Sequence, residues 1–163
     1  MTSHLEWDRS AMVMANADFI CIKSESGRGA MRLGSPETCV VLDRDVDDPA
    51  LGRALRSQLA KSRHLTPMQL LEAVISVERL YKSWVTRMME QFQYRNRRAM
   101  FKSMKACMVS LQAGGFVLRP LHHDKLEGWS RTEGDSIQDI DLPENVTPAE
   151  LGAAVRQAFA RCA

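Results

Sequence analysis

His122, His123, Asp124 and Glu127 form the densest group of potential metal ligands or acid–base catalysts in the chain. A bound metal needs its imidazole and carboxylate ligands to converge on one point, whereas a strand sends residues 122 and 123 to opposite faces. His123 with Glu127 would need a distant third ligand, so the pair reads as structural histidines that hydrogen-bond at the end of a hairpin. No serine sits in a nucleophile-elbow setting, and nothing marks a cysteine as activated. Cys21, Cys39, Cys107 and Cys162 lie far apart without a C-x-x-C pair, and read as reduced thiols filling small apolar holes. No catalytic residue, metal or cofactor is therefore expected.

Two sets of charges could instead recognise a partner. Arg95, Arg97, Arg98, Lys102 and Lys105 are interleaved with Tyr94 and Phe101, a combination able to bind single-stranded nucleic acid because cations follow phosphates while aromatics stack on bases. Without an RRM, KH or helix-turn-helix signature beside it, the Arg95–Lys105 run stays the alternative, and a solvated helix end the plainer reading. Acidic residues cluster twice: Asp43, Asp45, Asp47 and Asp48, and then Glu133, Asp135, Asp139, Asp141 and Glu144. If 135–141 is extended, Asp135, Asp139 and Asp141 share one face, opposite Ile140 and Leu142. Ordinary solubilising charge explains such residues equally well. Gly27-Arg28-Gly29 lacks the Lys-Ser/Thr of a phosphate-binding loop and reads as a turn.

The elements that must position these groups follow from periodicity. Residues 1–16 read as a polar arm anchored by Trp7, and 18–23 alternate as a strand. Glycines and Pro36 mark 24–36 as a loop or irregular hairpin, and the continuous apolar run 38–42 predicts a strand central in its sheet. Asp48 and Pro49 open a helix to residue 63; Thr66-Pro67-Met68-Gln69 is a capping box opening a short helix to about 75, and Ser76 restarts the chain into a longer one reaching 93. A β-hairpin is expected over about 101–121, turning at Ala113-Gly114-Gly115, then a strand over 137–142 and a closing helix capped at Thr147-Pro148-Ala149-Glu150. Trp129 is expected to pack over the hairpin.

Leu51-Gly52-Arg53-Ala54-Leu55-Arg56 is echoed by Leu151-Gly152-Ala153-Ala154-Val155-Arg156, each after a strand and an acidic turn. Two similar strand–loop–helix units are thus predicted to pack side by side on one sheet. A glycine one turn into each helix costs about 1 kcal/mol relative to alanine, which predicts close approach to a neighbour. At 163 residues with 45% hydrophobic and 26% charged residues, the chain fits one α+β domain with a largely antiparallel sheet of about five strands and packed helices. The net charge of +2 selects neither nucleic acid nor anionic membrane. No apolar run approaches the roughly 20 residues of a membrane span, and MTSHLEWDRS lacks the basic start and apolar core of a secretion signal, so a cytoplasmic protein is expected.

Three patterns carry a resemblance: Arg97-Arg98-Ala99-x-Phe101-Lys102-x-Met104-Lys105, Arg119-Pro120-x-His122-His123-x-Lys125-Leu126-Glu127-Gly128-Trp129, and Leu151-Gly152-x-Ala154. On them the chain resembles the immunity proteins of bacterial contact-dependent growth inhibition (CDI) systems. The resemblance implies a non-enzymatic cytosolic inhibitor that forms a one-to-one complex with the toxic C-terminal domain of a CDI effector, with no cofactor, membrane, small-molecule substrate or direct nucleic-acid partner. A nuclease toxin presents a cationic substrate cleft, so the acidic residues Asp43, Asp45, Asp47, Asp135, Asp139 and Asp141 become the expected partner-binding set.

Overall fold

A computed structural model describes residues 7–35, 39–131 and 134–163. Its elements, in chain order, are β1 (Arg9–Ala15), β2 (Phe19–Arg28), β3 (Met31–Gly34), β4 (Val40–Asp43), α1 (Asp48–Ala60), α2 (Pro67–Phe92), α3 (Arg97–Phe101), β5 (Lys105–Gln112), β6 (Gly115–Pro120), β7 (His122–Lys125), β8 (Gly128–Ser130), β9 (Ile140–Leu142) and α4 (Pro148–Arg161). Seven strands form one sheet in the order β3-β2-β1-β5-β6-β9, with β4 pairing the other part of β2's outer edge, and β7–β8 is a separate ribbon. All these pairings are antiparallel. The α+β class holds, with two more strands in the main sheet than the five expected.

Four expectations need correction. Residues 9–15 are a central strand, not part of a polar arm, because Ala11, Val13 and Ala15 face one core while Met12 and Met14 face another; residues 1–6 of that expected arm lie outside the described residues. The strand expected over 38–42 is at an edge, pairing only β2, and its start at Thr38 lies outside the described residues. Its apolar run is continuous because Val40 and Leu42 pack on one side of the sheet and Val41 on the other. No break occurs at Ser76: α2 is one 26-residue helix, opened by the Thr66/Gln69 capping box, and the Ser76 hydroxyl donates 2.9 Å to the Glu72 carbonyl one turn back. The strand over 137–142 shrinks to Ile140–Leu142.

The sheet has two cores. On one face Val13, Ile20, Ile22, Val109, Phe116 and Leu118 pack against Leu51 and Leu55 of α1 and Leu151, Val155 and Phe159 of α4. On the other, Met14, Phe19, Cys21 and Ala106 meet Trp84, Val85 and Met88 of α2 and Met100 and Phe101 of α3. Each fully buried side chain of this size stabilises by about 1.5–3 kcal/mol. Among the described residues no helix is long and apolar enough to cross a membrane.

The echoed helices do pack side by side. A Cβ on Gly52 would lie 1.9 Å from the Pro148 carbonyl oxygen, and one on Gly152 would lie 2.0 Å from that of Asp48. Arg56 donates to the carbonyls of Glu144 (3.0 Å) and Val146 (2.7 Å), while Arg156 donates to those of Arg44 and Val46. Strand pairing obeys the same exchange: turning the sheet about the Met12–Met108 pair carries Arg9–Leu111 onto Ala15–Lys105. The units β1-β2-β4-α1 and β5-β6-β9-α4 are therefore related by an approximate twofold axis, with β3 and α2 added to one half and the β7–β8 ribbon to the other.

Candidate functional site

The histidine–carboxylate segment is a structural staple. His123 stacks flat on Trp129 (centroids 4.8 Å apart, 13° between planes), its Nε2 lies 2.9 Å from the Leu126 carbonyl, and its backbone N–H donates to the carbonyl of Ala163. Trp129 donates its indole N–H to the Met104 carbonyl at 2.9 Å, in the packed position expected of it. His122 lies 3.8 Å from Asp124, which also accepts from Ser130. Glu127 accepts from Arg97 at 2.9 and 2.7 Å and from the Tyr81 hydroxyl at 2.7 Å. The hydrogen-bonding guanidinium holds the Glu127 carboxyl below the usual carboxylate range, and burial, then Glu127, pushes the Tyr81 phenol up. Among the described residues no three His, Cys, Asp or Glu side chains converge as a metal site.

Glu127 thus ties the β7–β8 turn to α2 and α3. Glu127→Ala is expected to cost about 1 kcal/mol, because the network is half exposed and solvent-screened. A carboxyl with a depressed folded pKa contributes its stability above the ordinary carboxylate range and loses it as pH falls through the folded value. Urea melts of wild type and variant should therefore converge as the buffer is taken below pH 4.5; a gap that persists undiminished in acid would contradict the assignment.

The basic run loses one of its two aromatics to the core. Phe101 is fully buried against Trp84, with ring centroids 6.4 Å apart, and the Tyr94 hydroxyl bonds Asp18 and Asn16. Asn96 caps α3 through the Ala99 N–H, and Arg97 is committed to Glu127. Arg95, Arg98, Lys102 and Lys105 remain exposed cations, while Phe101 is lost to the core and Tyr94 stays partly exposed with its hydroxyl engaged.

The six acidic candidates divide. Asp47 caps α1 by accepting from the Ala50 N–H at 2.8 Å, and neighbouring Asp48 pairs with Arg156 at 2.8 Å. Arg131 lies 2.8 Å from Asp139 and 3.8 Å from Asp135, and Asp135 also accepts from the Ile137 N–H. Asp135 therefore belongs to a turn, so the common face expected for Asp135, Asp139 and Asp141 does not form. Glu133 lies outside the described residues. Asp141 is exposed on β9, beside buried Ile140, at the opposite sheet edge from Asp43 and Asp45.

Asp43 and Asp45 are brought together with apolar groups. They flank a groove of about 450 Å³ lined also by Val41, Leu42, Val46, Gln91 and Phe92. Asp18 stands next to Phe19, the strand partner of Asp43, and adds a third carboxylate to that end of the sheet. An acidic rim over an apolar floor suits the stem and head of an incoming arginine or lysine.

A second surface escaped the residue-level reading. Along the N-terminal half of α2, Met68 (66% exposed), Leu71, Val74 and Ile75 (73% exposed) turn outward, with Met31 of β3 also exposed. Their helical spacing is plain in the sequence, but spacing shows that a face is apolar, not whether the chain itself covers it.

Comparison with known proteins agrees with this architecture. The family model CdiI, described as CDI immunity protein, matches residues 9–162. Immunity protein CdiI-YPIII of Yersinia pseudotuberculosis serotype O:3 (strain YPIII) is 30% identical over 167 residues, covering 93% of this chain and 94% of that protein. A protein of unknown function from Neisseria meningitidis superposes with a TM-score of 0.88 at 29% identity, over 100% of both chains. The structure of a CdiA-CT/CdiI toxin and immunity complex from Yersinia pseudotuberculosis matches with a TM-score of 0.80 at 26% identity, over 96% of this chain and 98% of that one. With its patterns, paired helices and almost its whole length accounted for, the chain belongs to the CdiI family of CDI immunity proteins.

Proposed function

We propose that this protein is a non-enzymatic cytoplasmic inhibitor that binds the C-terminal nuclease toxin domain of its cognate CDI effector one-to-one and denies that domain its RNA or DNA substrate. Support comes from the family and from a relative whose structure is that of a toxin and immunity complex. An interface of about 800 Å² per partner would take under a tenth of the 9462 Å² surface.

The observation that carries the docking site is the groove at Asp43 and Asp45, whose carboxylates stand where they can meet the cations of a nucleic-acid cleft. Asp47, Asp135 and Asp139 act from behind, holding the two acidic turns in shape, and Asp141 is the exposed acidic residue of the opposite edge. In the test, the toxin domain encoded beside this gene is mixed at equimolar ratio with each variant and its nuclease activity followed. Wild type should abolish the activity, and the Asp43→Lys/Asp45→Lys double variant should slow association by about 10–100-fold at low salt while melting like wild type. Association of that variant at the wild-type rate moves the interface elsewhere.

The apolar stripe of α2 favours a second docking surface, read in the same experiment. Leu71→Asp/Ile75→Asp should speed dissociation of the complex if the toxin covers this face, because hydrophobic contacts act mainly on the off-rate.

A further inference from the structure

Cys21, Cys39, Lys23 and Trp84 form a cluster that the immunity role does not use. Cys21 is completely buried on β2, facing α2. Because Cys21 pairs with Val41 and Ile22 with Val40, Cys39 arrives level with Lys23, on the same sheet face as Cys21. Cys39 is half-buried and packs against the same core cluster as Cys21, and its thiol faces the Val40 carbonyl at 3.8 Å.

The surroundings are cationic, and the carboxyl that acts on Lys23, the buried Glu25, is itself pushed up by burial. Lys23 is 6% exposed, and its ammonium sits 3.2 Å from the centroid of the Trp84 ring and 5.5 Å from that of Tyr81, with no carboxylate within ion-pair distance among the described residues. The indole N–H of Trp84 is buried in the same cluster and finds no hydrogen-bond acceptor. The neighbouring Cys21 thiol, then Lys23, Trp84 and Arg87, hold the Cys39 thiol down to about 7 against the opposing effect of burial. Burial pushes the Cys21 thiol up, so the pair divides into one nucleophile and one proton-holding neighbour. The other two cysteines provide an internal contrast. Cys107 is buried and raised out of the reactive range, and the Cys162 thiol is also raised and donates to the carbonyls of Ala106 and Ala158.

We propose that Cys39 and Cys21 are a peroxide-sensitive dithiol in which Cys39 reacts and Cys21 resolves, closing a disulfide between β4 and β2. The Cys39 thiolate attacks one oxygen of hydrogen peroxide; the S–O bond forms as the O–O bond breaks, and the departing hydroxide leaves as water after taking a proton. The sulfenic acid is then attacked by Cys21 sulfur; the S–S bond forms, the S–O bond breaks, and the second hydroxide takes the Cys21 proton. Two thiols and one peroxide give one disulfide and two waters. Diagonal neighbours in a regular antiparallel sheet lie about 7–8 Å apart at Cα, just beyond the usual disulfide span of about 4.4–6.8 Å. Closure thus draws the entry of β4 towards β2 by about an ångström, which residue 39 can follow because it precedes the first paired residue of the strand, Val40.

The full chain, treated with a small molar excess of hydrogen peroxide at neutral pH, is read by intact mass and by non-reducing peptide mapping. Loss of two hydrogens with a linked Cys21–Cys39 peptide is the expected product. Cys21→Ser should stop at a sulfenic acid on Cys39, trapped by dimedone, and Cys39→Ser should leave Cys21 reduced. Lys23→Met should slow the Cys39 step by about tenfold at neutral pH, with the pH midpoint of alkylation moved up; an unmoved midpoint overturns the role given to the ammonium. Oxidation of Cys107 or Cys162 ahead of Cys39, a different linkage, or oxygen addition without a disulfide in the wild-type chain overturns the proposal, and wild type needs no variant to fold.

Discussion

Gly52→Ala is expected to destabilise the protein by about 2–3 kcal/mol, although alanine is the better helix former by about 1 kcal/mol. The added methyl would stand 1.9 Å from a backbone carbonyl oxygen of α4, which no rotamer change can move. The helices must separate, and separation loosens Leu51, Leu55, Leu151 and Val155 beneath them and lengthens the bonds from Arg56 and Arg156 to the facing turns. Gly152→Ala should cost as much, since its methyl would meet the Asp48 carbonyl at 2.0 Å. The double variant should cost less than the sum, because the first methyl has already opened the crossing for the second. Gly34→Ala, whose methyl would meet only the Lys23 side chain at 3.9 Å, serves as control and should stay within about 0.5 kcal/mol of wild type. Urea midpoints at unchanged slope decide it; strict additivity of the two helix variants would mean that the glycines do not share one contact.

Trp84→Ala is expected to cost about 4 kcal/mol. Trp84 is among the largest fully buried side chains and bridges Tyr81, Phe101 and the Lys23 ammonium on the face that α2 covers. Losing the ring removes the burial, leaves a cavity the sheet cannot fill, and deprives a buried cation of its π-face. Burial lowers the Lys23 pKa, so its contribution is complete above the ordinary lysine value and is lost as pH falls through the folded one. Once water reaches the ammonium the shift shrinks. The difference in stability between Lys23-containing and Lys23→Met chains should then vary with alkaline pH in the wild-type background and hardly at all in the Trp84→Ala background. An equal slope in both would show that the ring does not control the solvation of Lys23.

Legibility in the sequence followed local chemistry. Thr66/Gln69 and Thr147 announce their helices because capping depends on a few adjacent residues. Gly52 and Gly152 announced their close approach because a glycine inside an otherwise good helix has a cost that something must offset. β1 stayed hidden because its alternation lies between two kinds of apolar residue, one for each core, and so shows no polar stripe. β4 looked central for a similar reason: helices cover both its faces, and apolarity reports covered faces, not paired edges. For the candidate site, sequence showed which residues are acidic but not that Arg131 engages two of them or that α1 uses a third as its cap. The groove beside Asp43 and Asp45 brings Phe92 and Gln91 against β4 across about fifty residues of chain, and no local pattern records such a meeting.

The twofold arrangement also bears on how the chain is made. β1 and β5 meet at the centre of the sheet, yet α1, α2 and α3 are synthesised between them. While the first half emerges from the ribosome, β1 can pair β2, but its other edge offers unpaired backbone groups and the Gly52 notch of α1 stands empty. Long-range pairing of this kind folds slowly, because the loop must close before the contacts repay it. The nascent half-sheet is therefore the sticky stage of this protein's life, and α4, translated after every other described element, is the piece whose arrival ends it.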